Sequence, residues 1–295
     1  MIGAGGVGGL LGGRLAHASR DVTFFARGAH AAAMRQHGLR VDSFLGDFRV
    51  PKVKVMDGPG VAGTFDAVIV TVKAWQLTDS FATIRPLLRS DSVVVPLLNG
   101  LDAADQLRAG LDTGIVAGGL CAFSAHIEAP GHIKHVGTEP QVVVGTLDRS
   151  PLDALGALRD EFLAAGVKAS VSPDIRLDLW RKYAFIGPVG AVGALAGLAV
   201  GGWRTEQQWR NYLRAMIEEA RAVARAEGVT MPEDEADGVL ARVDALNPEV
   251  KASMHRDIEA GRPSELDAQV GAVVRRAAAH SVDVPRHAEA LARLS

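Results

Sequence analysis

The chain is 295 residues long, 48% hydrophobic and 22% charged, enough apolar material for a sizeable core. That composition excludes disorder as the main state, and the length suggests about two domains at roughly 150 residues each. Lys and Arg number 32 against 34 Asp and Glu, a formal charge of −2, and aromatics make up 5%, so neither a basic field nor a stacking platform for nucleic acid is expected.

In chain order, Met1-Ile2-Gly3 runs directly into glycines without the basic leader of a signal peptide. The β-branched runs at 21–26 (DVTFFA), 66–72 (DAVIVTV) and 92–98 (SVVVPLL) read as buried strands. Residues 7–18, 29–37, 76–88 and 103–109 read as helices between them. This alternation argues a parallel sheet with helices on both faces. Residues 39–55, broken by Gly46 and Pro51, read as short strands or an inserted hairpin. Residues 115–147 are β-rich around a Pro130-Gly131 turn, followed by a helix at 152–165 and a last strand at 167–171. From Asp174 onward only helical periods recur, at 174–200, 206–227, 233–245, 249–259, 265–280 and 286–294. The fold class is therefore α/β, with domains at 1–172 and 173–295, the second all-helical.

Residues 183–203 carry no formal charge and include GxxxG spacings at Gly193, Gly197 and Gly201. Six glycines and Pro188 lower the hydropathy of this stretch, so it reads as a buried central helix rather than a membrane span. No membrane association is expected. Cys121 is the single cysteine and can form neither an internal disulfide nor a CxxC metal pair, which fits a reducing, cytoplasmic setting.

Gly3-Ala4-Gly5-Gly6-Val7-Gly8 matches GxGxxG and opens a helix. The first glycine suits a tight turn, the second a close approach of backbone to pyrophosphate, the third close packing of helix on strand. The helix N-terminus then offers free N–H groups to phosphate. The βαβ context makes residues 1–172 a Rossmann-like dinucleotide-binding domain. Only Met1-Ile2 precede the loop, so the natural first strand is expected to start a few residues earlier. The second strand ends in Arg27-Gly28, with no carboxylate until Asp42. An acidic residue there would hold the ribose hydroxyl of NAD, whereas a guanidinium suits the 2′-phosphate of NADP. NADP is the expected cofactor.

Thr71-Val72-Lys73-Ala74-Trp75-Gln76 and Asn99-Gly100 lie at the carboxyl ends of successive strands, where open α/β sheets bind ligands. Downstream come Leu179-Trp180-Arg181-Lys182, then Ser253-Met254, Asp257-Ile258 and Glu265-Leu266-Asp267. This series, across essentially the whole chain, resembles the ketopantoate reductase family. The resemblance implies NADPH-dependent reduction of 2-dehydropantoate to (R)-pantoate in pantothenate biosynthesis. It implies Lys182 as general acid, with Glu265 beside it in the catalytic arrangement. It implies Ser253 as a substrate contact, and Lys73 and Asn99 on the nicotinamide and substrate side of the cleft. The chemistry is coherent, because a lysine ammonium can polarise a carbonyl and protonate the alkoxide that hydride addition produces.

One departure bears on the substrate. The family commonly carries asparagines four and eight residues after the lysine, on the same helix face; here those positions are Ile186 and Gly190. Neither side chain can hydrogen-bond, so a roomier and more apolar wall is expected, along with a second candidate function, reduction of a more hydrophobic 2-keto acid. A non-catalytic NADP-binding sensor is a third reading, disfavoured by Lys182 and Glu265. The partner is a small 2-keto acid, with a homodimer as one assembly open to the chain. His126, Glu128, His132 and His135 lack recurring ligand spacing, so no metal is expected, and Cys121 has no histidine partner for thiol catalysis.

Overall fold

The computed structural model describes residues 1–58 and 63–295. The chain forms two compact units, one of Met1–Leu98 with Ala103–Ile175 and one of Asn99–Asp102 with Arg176–Ser295.

In the first unit, α1 (Gly6–His17) follows the glycine loop, then β1 (Thr23–Phe25), α2 (Gly28–His37), β2 (Leu39–Ser43), β3 (Phe48–Val50) and β4 (Lys54–Met56). After the undescribed residues come β5 (Ala67–Val70), a 3-10 turn at Ala74–Gln76, α3 (Leu77–Ile84), β6 (Val93–Pro96), α4 (Ala103–Gly110) and β7 (Ile115–Val116). The long strands β8 (Gly118–Ala129) and β9 (His132–Gly145), α5 (Asp153–Ala164) and β10 (Lys168–Val171) complete it.

β5, β6 and β7 pair in parallel, as do β1 and β4. Ile2 bridges Phe25 on one side and Val70 on the other, both in parallel, and so joins the two ladders into one sheet. The nearly unbroken β-branched runs fit this sheet because strands covered on both faces have no solvent side to make polar. Phe24, Val68, Val70, Val93, Val94 and Val95 are all buried.

A second, mixed sheet runs β10-β9-β2-β3, with β8 antiparallel to β9. The region 39–55 thus divides its strands. β2 and β3 form the expected antiparallel hairpin, while β4 joins the parallel sheet beside β1. Local sequence cannot separate these, because all are short and half-exposed.

The second unit begins within α6 (Ile175–Ala196) and continues with α7 (Val200–Trp203), α8 (Gln207–Ala226), α9 (Glu235–Asp244) and α10 (Ser253–Glu259). A π-helical turn at Asp267–Gly271 leads into α11 (Ala272–Ala279), and α12 (Pro285–Leu294) ends the chain. α10 is shorter than the periodicity predicts, because Ala252 is its extended N-cap and the preceding residues form a turn. The core of this unit gathers Trp180, Tyr183, Val192, Trp203, Met216, Ile217 and Val243. Most of the uncharged stretch 183–203 lies in α6 and α7, with Tyr183, Ala184, Val192 and Trp203 buried. Among the described residues no helix is long and apolar enough to cross a membrane.

Candidate active site

The glycine loop of the first unit owes its shape to space as much as to conformation. Gly3 sits at φ +93°, a left-handed conformation that side chains rarely adopt. The Thr71 hydroxyl donates to the carbonyls of Gly3 (2.8 Å) and Ile2 (3.1 Å), pinning the turn to the end of β5. A Cβ at Gly8 would collide with the Gly3 carbonyl oxygen and the Thr71 hydroxyl, and one at Gly6 with the Ala125 carbonyl of β8. At Gly5 a Cβ would meet nothing within 4 Å. The loop is therefore packed from behind and open at its second glycine. Gly5 is the N-cap of α1 and supplies no side-chain cap, so no capping side chain competes with a ligand for the first-turn N–H groups of α1. This geometry fits a dinucleotide pyrophosphate.

Thr71 and Ala125 shape the loop through contacts that motif spacing does not single out. Thr71 stood inside a quoted motif, but its contact with Gly3 crosses 68 residues. His30 is a further neighbour of the loop, accepting the Gly131 N–H at Nδ1 (3.1 Å). Burial pulls the His30 imidazole below the ordinary histidine range, against the opposing effect of the Ala4 backbone.

Arg27 lies exposed at the extended N-cap of α2, directly after β1. Lys73 is the extended residue that opens the 3-10 turn at Ala74–Gln76, and its ammonium lies 5.6 Å from the centre of the Trp75 ring. Its backbone N–H donates to the Gln76 side chain (3.2 Å).

In the second unit, α6 carries Lys182 and Ile186 half-buried and Gly190 buried, at successive four-residue steps on one face. Asn99 belongs to this unit despite following β6 in the chain. Its Nδ2–H donates to Glu265 Oε2 at 3.2 Å. Glu265 is 5% exposed, so its carboxylate lies away from bulk water. Gly100 has φ +99°, and a Cβ there would strike the Ala268 carbonyl, so the Asn-Gly pair is shaped by the neighbouring π turn. Single π turns occur often at functional sites. Ser253 is exposed at the first helical position of α10.

The expectation of a roomier wall is corrected at position 190. A Cβ on Gly190 would lie 2.9 Å from Met254 Cε and 3.6 Å from Ala252 Cβ. A Cβ on Gly193 would lie 2.8 Å from His255 Nδ1. The two glycines let α10 and its cap settle against α6, and the Met254 thioether fills the space a larger residue at 190 would take. Position 190 is packed, not hollow. His255 is 2% exposed, its Nε2 has no hydrogen-bond partner, and burial pulls its pKa below the ordinary histidine value.

Among the described residues no group of three or more His, Cys, Asp or Glu could hold a metal ion. His126 and Glu128 pair with each other at 3.1 Å. His135 Nδ1 faces the Ser43 hydroxyl and its Nε2 the Thr138 carbonyl. Cys121 is buried.

The family model "Ketopantoate reductase PanE/ApbA" matches residues 1–149, and the model of its C-terminal part matches residues 174–295. An uncharacterized oxidoreductase of Bacillus subtilis is 31% identical over 287 residues, covering 97% of this chain and 93% of that one. A 2-dehydropantoate 2-reductase of Mesorhizobium japonicum is 30% identical, covering 92% and 89%. The solved structure of a PanE/ApbA family ketopantoate reductase from Ralstonia eutropha is 32% identical, with TM-score 0.90 and coverage of 99% and 96%. With both halves matched in order, and with the loop and the helical unit built as described, the chain belongs to the ketopantoate reductase family and is a nicotinamide-dependent oxidoreductase.

Proposed function

We propose that this chain reduces the carbonyl of a 2-keto acid to the 2-hydroxy acid with NADPH. 2-Dehydropantoate, giving (R)-pantoate for pantothenate biosynthesis, is the first substrate to test. The observation that carries the reading is the side-chain bond between Asn99 and Glu265, residues 166 positions apart that meet in the unit bearing Lys182.

Gly3, Gly5, Gly6, Val7 and Gly8 would hold the pyrophosphate, and Arg27 the 2′-phosphate through paired charge-assisted hydrogen bonds. Lys73 and Asn99 would line the nicotinamide side. The bound cofactor supplies a hydride to the carbonyl carbon. Lys182 polarises the carbonyl oxygen as charge develops there and passes it a proton from Nζ. Glu265 accepts one Asn99 N–H and so fixes the amide plane, and the second N–H and the carbonyl oxygen of Asn99 would serve a ligand. Ser253 and Lys73 are the groups for the substrate's carboxylate.

Ile186, half-buried one helical turn after Lys182 and without a hydrogen-bonding side chain, favours a second reading, a substrate with an apolar side chain. Both readings are tested by following loss of reduced-nicotinamide absorbance with NADPH and a panel of 2-keto acids. Turnover of 2-dehydropantoate at least tenfold above unhydroxylated branched 2-keto acids supports the first, and comparable or faster turnover of the branched acids supports the second. No oxidation of NADPH with any 2-keto acid would refute both.

A further inference from the structure

The segment 99–102 follows a strand of the parallel sheet, yet it is held by the helical unit. Five contacts hold it there. Asn99 donates to Glu265, and Gly100 lies against the Ala268 carbonyl. Asp102 receives Arg276 Nε at 2.8 Å and Arg275 Nη2 at 3.1 Å, and the Leu101 carbonyl receives Arg276 Nη2 at 3.1 Å.

The two arginines are unequal. Arg275 is half-exposed and reaches Asp267 at 2.6 Å, a partner itself 79% exposed, so this pair is screened by water. The Arg276 side chain is 17% exposed, and its three guanidinium nitrogens each donate to a different acceptor. Beyond Asp102 and Leu101, Nη1 reaches Glu227 at 2.7 Å, whose side chain is 10% exposed. Glu227 lies just past α8, and its backbone carbonyl receives Arg176 Nη2 (3.1 Å) from the first turn of α6. A rigid planar fork thus joins three pieces of backbone, those bearing Asn99, the end of α8 and α11. A lysine, with one nitrogen, could not donate along the same three directions.

We propose that Arg276 is a positioning residue for Asn99. Its hold on Leu101 and Asp102 fixes the loop at the register in which the Asn99 amide meets Glu265. The proposal rests on the reading of Asn99 and Glu265 as parts of the active site. Arg276 acts three residues along the loop from Asn99, through backbone. Small displacements of an oriented group cost rate steeply, of order a hundredfold for about 1 Å.

The test uses the full-length protein labelled with ¹⁵N at asparagine, of which the chain has three. Asn99→Ala assigns the Asn99 side-chain signals by their loss. In the wild type, the two Asn99 amide protons should be well separated in shift and slow to exchange. In Arg276→Met they should collapse towards free-amide shifts, and kcat should fall roughly ten- to a hundredfold with the KM for NADPH little changed. Arg276→Lys should recover part of both, because one nitrogen restores one of the three bonds. Should Arg276→Met fail to fold, Asp102→Ala removes the acceptor of Arg276 Nε and is expected to move the same signals. Unchanged Asn99 signals in a folded Arg276→Met or Asp102→Ala protein overturn the proposal. Signals that collapse while turnover persists support the positioning and instead refute Asn99 as part of the active site.

Discussion

Lys182 carries the proton in the proposed reaction, and its half-buried place on α6 gives its removal little packing cost. Lys182→Ala should keep the fold, measured by circular dichroism and thermal melting, and should bind NADPH with near wild-type affinity. Turnover should fall by about 10²–10⁴, the usual value of general acid catalysis. Near-normal turnover would remove Lys182 from the mechanism. Arg27 makes a separate prediction about cofactor. It is exposed at the N-cap of α2, directly after β1, and is proposed to hold the 2′-phosphate. Arg27→Met should weaken NADPH by roughly 1.5–3 kcal/mol, the range for a hydrogen bond to a charged group, while leaving NADH almost unchanged. Titration of both cofactors by fluorescence decides it, and equal losses would make Arg27 a determinant of shape alone. At this scale the sequence located the glycine loop by its spacing, and it named Lys182 as a candidate through a motif. It did not give the contacts of Thr71, His30 and Met254, whose partners are distant in the chain and appear only once the strands and helices are packed.

Between elements, the contact of α6 with α10 governs substrate choice in the proposed reading. Gly190 and Gly193 are small because Met254 and His255 occupy the space beside them. Introducing asparagine at Ile186 alone should therefore be tolerated, whereas Gly190→Asn must displace Met254 and should destabilise by about 1–3 kcal/mol, as overpacking does. Pairing Gly190→Asn with Met254→Ala should recover much of that loss. The triple variant Ile186→Asn, Gly190→Asn, Met254→Ala should raise the kcat/KM ratio for 2-dehydropantoate over an unhydroxylated branched 2-keto acid by tenfold or more. An unchanged ratio in a folded triple variant would show that this helix face does not read the substrate side chain. The periodicity of α6 was legible from sequence and put positions 182, 186 and 190 on one face. That α10 fills the space over 190 was not, because docking depends on side chains more than 60 residues away.

Across the whole molecule, His30, His135 and His255 are held below the ordinary histidine pKa, in each case chiefly by burial. The sign follows directly. An unfolded chain takes up these protons near pH 6.5, before the folded one does, so stability is full above that pH and declines as pH falls below it. Each such histidine can contribute at most about 1.4 kcal/mol per pH unit. Thermal melting should give a lower Tm at pH 5.5 than at pH 7.5, and His255→Asn should reduce the difference. A Tm flat between these values would mean that the three imidazoles titrate alike in both states.

The sequence by itself determined the class of the fold. Alternating β-branched and helical runs followed by helical periods alone require a parallel sheet and then a helical unit, since each pattern has one geometry that buries its apolar face. It also determined the glycine loop, because spacing within six residues is a local property. Only the tertiary structure decided that β4 leaves its hairpin neighbours for the parallel sheet, and that residues 99–102 belong to the helical unit. It alone decided that Asn99 meets Glu265, and that Met254 fills the space over Gly190. Each of these depends on which surfaces meet after the elements form, and local residue preferences do not specify contacts between segments tens to hundreds of residues apart.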